Sequence, residues 1–115
     1  DVVENVKKIY NDNNGRILIL DFEYMSRVFR IINIYAPNNE IERRNLFLEL
    51  AKWCKGNCIL VGDFNVKMDR LDMTRGAIFR SDVSRGVLRK MMVENNLIDI
   101  WREENPNKRE FSRRQ

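Results

Sequence analysis

The chain has no histidine, and its 115 residues include only two cysteines, two prolines and five glycines. Without His, no side chain can act as an imidazole base or imidazole metal ligand. Cys54 and Cys58, in WCKGNC, are too few for a disulfide framework, and with no His and no second Cys pair they cannot complete a structural zinc site. They read as two reduced thiols, with Cys58 packed at the start of a strand. No window is long and apolar enough to span a bilayer, and the first residues lack the basic-then-apolar layout of a signal peptide. Internal repeats and low-complexity segments are absent as well.

What is present is a globular composition, 43% hydrophobic and 33% charged, well away from the low-hydrophobicity, one-sign chains that stay disordered. The length suits one small folded unit. Lys and Arg outnumber Asp and Glu by 21 to 17, for a net charge of +4. So mild a basic bias is compatible with a polyanionic partner and equally with an ordinary mixed surface, so motifs must decide. The chain starts at Asp1 and stops at Arg113-Arg114-Gln115 without a helix or turn signal, and reads as a piece of something longer.

In residues 1–12, Val2, Val3, Val6, Ile9 and Tyr10 share one helical stripe, which predicts a short amphipathic helix. GRILILDFEY (15–24) and SRVFRIINIY (26–35) are rich in β-branched and aromatic residues around a short connection, which predicts a β-hairpin. Both faces of each strand are largely apolar, so the sheet is expected to be covered on both sides. Asn39 and Glu42 resemble a capping pair, and Phe47, Leu50, Ala51 and Cys54 recur at helical spacing, predicting a helix over about 40–55. A short buried strand is predicted over 58–61 and a long loop over 62–80. After Ser81-Asp82, the stripe Val83, Val87, Leu88, Met91 and Met92 predicts another helix, closed by Asn95-Asn96. Residues 97–101, LIDIW, form a short apolar anchor. This order predicts a layered α/β architecture with a mixed sheet.

Ligands of α/β sheets bind beyond the carboxyl ends of strands, and Asp63 lies just past strand 58–61. If GDFN (62–65) stays extended, Asp63 and Asn65 point to one side and Phe64 to the core. A carboxylate can deprotonate a water or bind a hard cation, and a carboxamide can orient charged oxygens, a pairing that suits attack of water on a phosphate ester. Gly, Asp and Asn also make turns for purely local reasons, and spacing alone favours that plainer reading. In NIYAPNN (33–39), Pro37 ends the strand and carries Tyr35 to the rim, where its hydroxyl can meet a phosphate oxygen or merely finish a half-buried strand end.

NIYAPN, then a helix, then ILVGDFNV resembles the endonuclease/exonuclease/phosphatase superfamily, which includes apurinic endonucleases and deoxyribonuclease I. With LIDIW (97–101), Asn105-Pro106 and Glu110-Phe111-Ser112 following in order, the chain is most similar to the endonuclease domain of non-LTR, LINE-type retrotransposon polyproteins. The resemblance covers nearly the whole chain. It implies a layered α/β sandwich of the deoxyribonuclease I/exonuclease III type, of which residues 1–115 would be the central part. It also implies that Asp63 activates or orients the attacking water, that Asn65 holds the scissile phosphate and that Tyr35 contacts it. Asn38 and Ser112 would bind substrate. Asp72 aligns with an acidic loop position, a solvated carboxylate being an equal alternative. Arg113 stands where relatives carry an aromatic, which weakens the Ser112 match. Trp101 reads as a core anchor. Lys67, Arg70, Arg75, Arg80 and Arg85 either follow a DNA backbone or are simply solvated.

The implied cofactor is Mg²⁺, or Mn²⁺ in its place. Its main Glu ligand is expected before residue 1 and a Ser-Asp-His motif after residue 115, leaving Asp63 and Asn65 as candidate ligands here. The implied activity is a DNA-nicking phosphodiesterase acting in retrotransposition, intracellular and nuclear when acting, with a reverse transcriptase in the same polyprotein. Two alternatives stand beside it: a phosphatase or phospholipid phosphodiesterase of the same superfamily, and a non-catalytic remnant. A receiver-like domain would need an acid cluster at an earlier strand end, and Asp21 and Glu23 lie within their strand instead.

Overall fold

Alternate residues of the two central strands sort cleanly by burial. Ile17 and Ile19, then Ile32 and Ile34, are almost wholly buried, whereas Leu18, Leu20, Phe29 and Ile31 between them are only partly covered. This is the period-two signature of a sheet with one packed face. The computed structural model describes residues 2–68 and 80–107. Strands β1 (Glu4–Asn11), β2 (Ile17–Tyr24), β3 (Arg27–Tyr35) and β4 (Cys58–Asp63) form one sheet in the order β1-β2-β3-β4. Strands β1 and β3 run antiparallel to β2, and β4 lies parallel to β3.

Helix α1 (Glu40–Leu50) is the crossover between β3 and β4, and α2 (Val83–Glu94) packs beside it. Phe47 and Leu50 of α1 join Leu88 and Met91 of α2 in one cluster with the four buried isoleucines. Burying such side chains stabilises by roughly 1.5–3 kcal/mol each before entropy is charged against it. Both helices begin as the sequence predicts. The Asn39 carboxamide accepts the N–H groups of Ile41 and Glu42 at 3.0 and 2.9 Å, and Asp82 accepts that of Ser84 at 2.9 Å. Helix α1 stops at Leu50 rather than near 55, because Lys52 and Trp53 bond three residues back and tighten the last turn. The β2–β3 connection is the two-residue turn Met25-Ser26, both at positive φ, which matches the twist of a tight hairpin.

Three expectations are corrected. Residues 4–11 are a strand, not a helix. Val2, Val3 and Val6 of the apparent helical stripe stay more than half exposed, so these valines bury little, and β-branched side chains favour pairing with β2. Tyr10 alone of that stripe packs well, stacked on Trp53 at 4.9 Å. Second, the helices cover one face only. Among the described residues, the other face carries Phe22 stacked on Phe29 at 5.6 Å, with Ile59 and Val61 about two-fifths exposed. Third, Leu97 of LIDIW packs on the core, but Ile98 and Ile100 are about two-thirds exposed, and a short helix α3 (Ile100–Glu104) begins there, capped by Asp99. The Trp101 side chain lies outside the described set. No helix among the described residues is long and apolar enough to cross a membrane.

Candidate functional site

One edge of the sheet gathers the carboxyl ends of β3 and β4. In the parallel register Tyr35 lies opposite Asp63, so both side chains leave from the same face of the sheet, the one without helices. The ladder ends by linking the two: the Ala36 N–H donates to the Asp63 carbonyl at 2.8 Å. Tyr35 is 57% exposed, which leaves its ring at the rim, as Pro37 predicts.

Asn65 meets Asp63 by a different route from the extended backbone expected. Strand β4 ends at Asp63, and Asn65 sits in the left-handed region at φ 52. Its N–H donates to the Asp63 Oδ1 at 3.0 Å, an Asx turn, and its Nδ2 donates to the Ala36 carbonyl at 2.7 Å. Asn65 thus ties the end of β4 to the segment just after Tyr35. An amide has a second Nδ2 hydrogen and a carbonyl oxygen beyond the bond to Ala36. Phe64 turns inward against Phe47, ring centroids 6.2 Å apart, as expected. Gly62 sets the close approach of the two strands. At φ +124, a Cβ there would lie 2.0 Å from the Ile34 carbonyl oxygen.

Arg43 organises the neighbouring loop and is the residue that motif reading misses. It is 5% exposed, and its guanidinium donates to the carbonyls of Pro37 and Asn38 at 3.3 and 2.8 Å, to Ser84 Oγ at 2.9 Å and to Asp82 at 2.6 Å. One side chain therefore joins the loop after Tyr35, helix α1 and the start of α2. Its signal in the sequence is an Arg four and seven residues before Phe47 and Leu50, on the apolar stripe of α1. Burial pushes the Asp82 carboxyl up, but the hydrogen bonds from Ser84 and the Arg43 charge more than offset this, holding it below the usual carboxylate range.

Of the remaining candidates, Asn38 is an exposed residue of that loop, held through its carbonyl by Arg43. Asp72, Ser112, Arg70 and Arg75 lie outside the described residues. Arg85 spends its guanidinium partly on the carbonyls of Lys67 and Arg80, which anchors the chain on either side of the undescribed loop residues. Arg16, in the β1–β2 connection, holds its guanidinium over the Tyr35 ring, 5.1 Å from the centroid. An open hollow of about 260 Å³ lies beside Tyr35, lined by Asn11, Gly15, Ile17, Leu18 and Asn33 as well. Among the described residues no three His, Cys, Asp or Glu side chains converge.

No protein-family model matches the chain. Over 97 residues, 80% of its length, it is 34% identical to the Transposon TX1 uncharacterized 149 kDa protein of Xenopus laevis. The chain is similar to a transposon-encoded protein. The chain spans about 7% of that relative's length.

Proposed function

We propose that the chain is the middle of an endonuclease domain of the endonuclease/exonuclease/phosphatase type, carried by a LINE-like retrotransposon polyprotein and nicking target DNA. The observation that supports this best is the Tyr35–Asp63 partnership on one sheet face, with Asn65 folded back to the same corner. Similarity to a transposon-encoded protein fits the same reading.

In this reading Asp63 takes the proton of a water whose oxygen forms a bond to phosphorus. One ester P–O bond breaks, and the leaving oxygen takes a proton from solvent. The Tyr35 hydroxyl and the second Asn65 amide hydrogen hold phosphate oxygens. Asn38, Asp72 and Ser112 are proposed substrate contacts. The proposed cofactor is Mg²⁺, replaceable by Mn²⁺, and when bound it would neutralise charge on the phosphate and leaving oxygen. Asp63 is a carboxylate this corner offers it, and Mg²⁺ usually keeps several waters beside one or two carboxylates and substrate phosphates. The domain bounds, a nuclear site of action and an attached reverse transcriptase belong to the same proposal.

The test is nicking of supercoiled plasmid by the full-length protein with Mg²⁺. Nicking that Asp63→Ala abolishes is the expected result, and undiminished nicking by that variant would remove Asp63 from the chemistry.

A further inference from the structure

The arginines held by this fold differ in what answers their charge. Arg30 is bidentate to Asp21 at 2.7 and 2.9 Å, and Arg43 pairs with Asp82. Arg16 has a tethered backbone, but its guanidinium has no carboxylate within salt-bridge distance among the described residues. Its backbone is fixed three times: the Arg16 N–H donates to Asp12 Oδ1 at 2.7 Å, the next N–H donates to the same oxygen, and the Tyr35 N–H donates to the Arg16 carbonyl at 2.8 Å. Its guanidinium then lies over the Tyr35 ring and donates one Nη1–H to the Tyr35 carbonyl at 3.3 Å. A guanidinium has five donors, so most of its hydrogen-bonding capacity remains beyond that one bond.

We propose that Arg16 is an anion-binding residue of this site, taking a non-bridging oxygen of a nucleic-acid backbone phosphate beside Tyr35. The assignment rests on the phosphodiesterase reading and extends it. Strand order places it: Asp63 on β4 flanks Tyr35 on one side, and Arg16 with the open hollow flanks it on the other. A phosphodiester backbone presents successive phosphates along its length, so one phosphate at the Tyr35–Asp63 corner puts a neighbouring anion within the reach of a strand lying across that hollow. Stacking on an aromatic ring orients the planar fork without neutralising it, which suits a planar, two-pronged contact to phosphate.

The experiment measures binding of a 20-base-pair DNA duplex to the full-length protein in EDTA, as a function of salt, for the unmodified protein, Arg16→Met and Arg16→Lys. Thermal melting is followed alongside. Arg16→Met is expected to weaken binding roughly tenfold to a hundredfold, the loss of one charge-assisted contact. It should also lower the salt slope by about one released ion. Arg16→Lys should keep the slope while losing part of the affinity, because an ammonium cannot make the planar contact. A residue that only props up Tyr35 would leave the slope unchanged in Arg16→Met, and that result overturns the proposal; so does a slope lost equally in Arg16→Lys. Plasmid nicking by the unmodified protein is read separately. An Arg16-dependent slope without nicking supports the anion site and removes the hydrolytic reading.

Discussion

Tyr35 and Asp63 are cross-strand partners at the last position of the parallel β3–β4 pair, and the Ala36 N–H to Asp63 carbonyl bond closes the ladder immediately beyond them. In the proposed mechanism both side chains act on one bound phosphate. Tyr35→Phe and Asp63→Asn should therefore be non-additive in nicking assays. Each alone is expected to cost on the order of 10²-fold or more in kcat. The double variant should lose much less than the product of the two. Asn at 63 keeps an acceptor for the Asn65 N–H, so the corner itself should survive. Independent, multiplicative losses would mean that the two residues do not act as one unit.

Gly62 makes the same corner sterically feasible. Alanine there would be held at a left-handed φ with its Cβ inside the Ile34 carbonyl, a main-chain atom that cannot swing away. Gly62→Ala should cost more than about 3 kcal/mol, combining backbone strain with separation of β3 from β4. Gly15→Ala, at positive φ but with open space around it, should cost only about 1 kcal/mol. Urea melts of both variants check the contrast, and equal losses would show that β4 adjusts freely.

The strands β2 and β3, both main helices with their caps, and the Tyr35 and Asp63 positions were legible because local chemistry and tertiary packing agree there. Asn39 and Asp82 cap in sequence and in structure, and Phe64 goes inward as its neighbours demand. Strand β1 was not legible: valines at three- and four-residue spacing mimic a helical stripe, and only pairing with β2 decides against it. The second apolar face of the sheet is real in composition, yet the described helices pack against the first alone. Asn65 meets Asp63 through an Asx turn rather than an extended backbone, a geometry written in side-chain hydrogen bonds that period-two reasoning ignores. Arg43 was missed because a charge on an apolar stripe reads as an imperfection until its partners are seen.

Those partners make Arg43 a stability determinant as well as a loop anchor. Replacing it with Met strands Asp82 half-buried and leaves the carbonyls of Pro37 and Asn38 without their donor. A loss of about 3–5 kcal/mol is expected, as when one member of a buried ion pair is removed. Adding Asp82→Asn to Arg43→Met should cost less than the sum of the two single changes. Denaturant titration of the four proteins measures the coupling, and strict additivity would show that the pair is incidental.

Acid should unfold the chain through the same carboxylates. The Arg30 hydrogen bond holds Asp21 below its usual 3.8 despite partial burial, and the Ser84 and Arg43 contacts hold Asp82 below it despite a larger burial effect. A carboxyl depressed in the folded state contributes stability that is fully present above its unfolded pKa and disappears as pH falls through the folded one. The loss should therefore begin below about pH 4 and leave the range from pH 5 to 7 flat with respect to these two groups. Asp82→Asn should lower stability at pH 7 and make the acid limb shallower. An acid limb unchanged by that substitution would place the sensitivity elsewhere.

The two thiols lead to a last expectation, about reactivity. Cys54 is 1% exposed, and burial pushes the Cys58 thiol up to about 12, with the neighbouring Cys54 adding to the shift and Arg30 opposing it only in part. The thiolate is the reactive species, so little Cys58 is poised to react at pH 8 in the folded state. Labelling by an aromatic disulfide reagent should consequently be slow in buffer and fast in urea, where an ordinary cysteine titrates near 8.5. Agents that stabilise the fold should slow it further, because reaction then proceeds through opening. Rapid labelling of the native chain at pH 8 would show that the turn between α1 and β4 opens far more readily than its packing indicates.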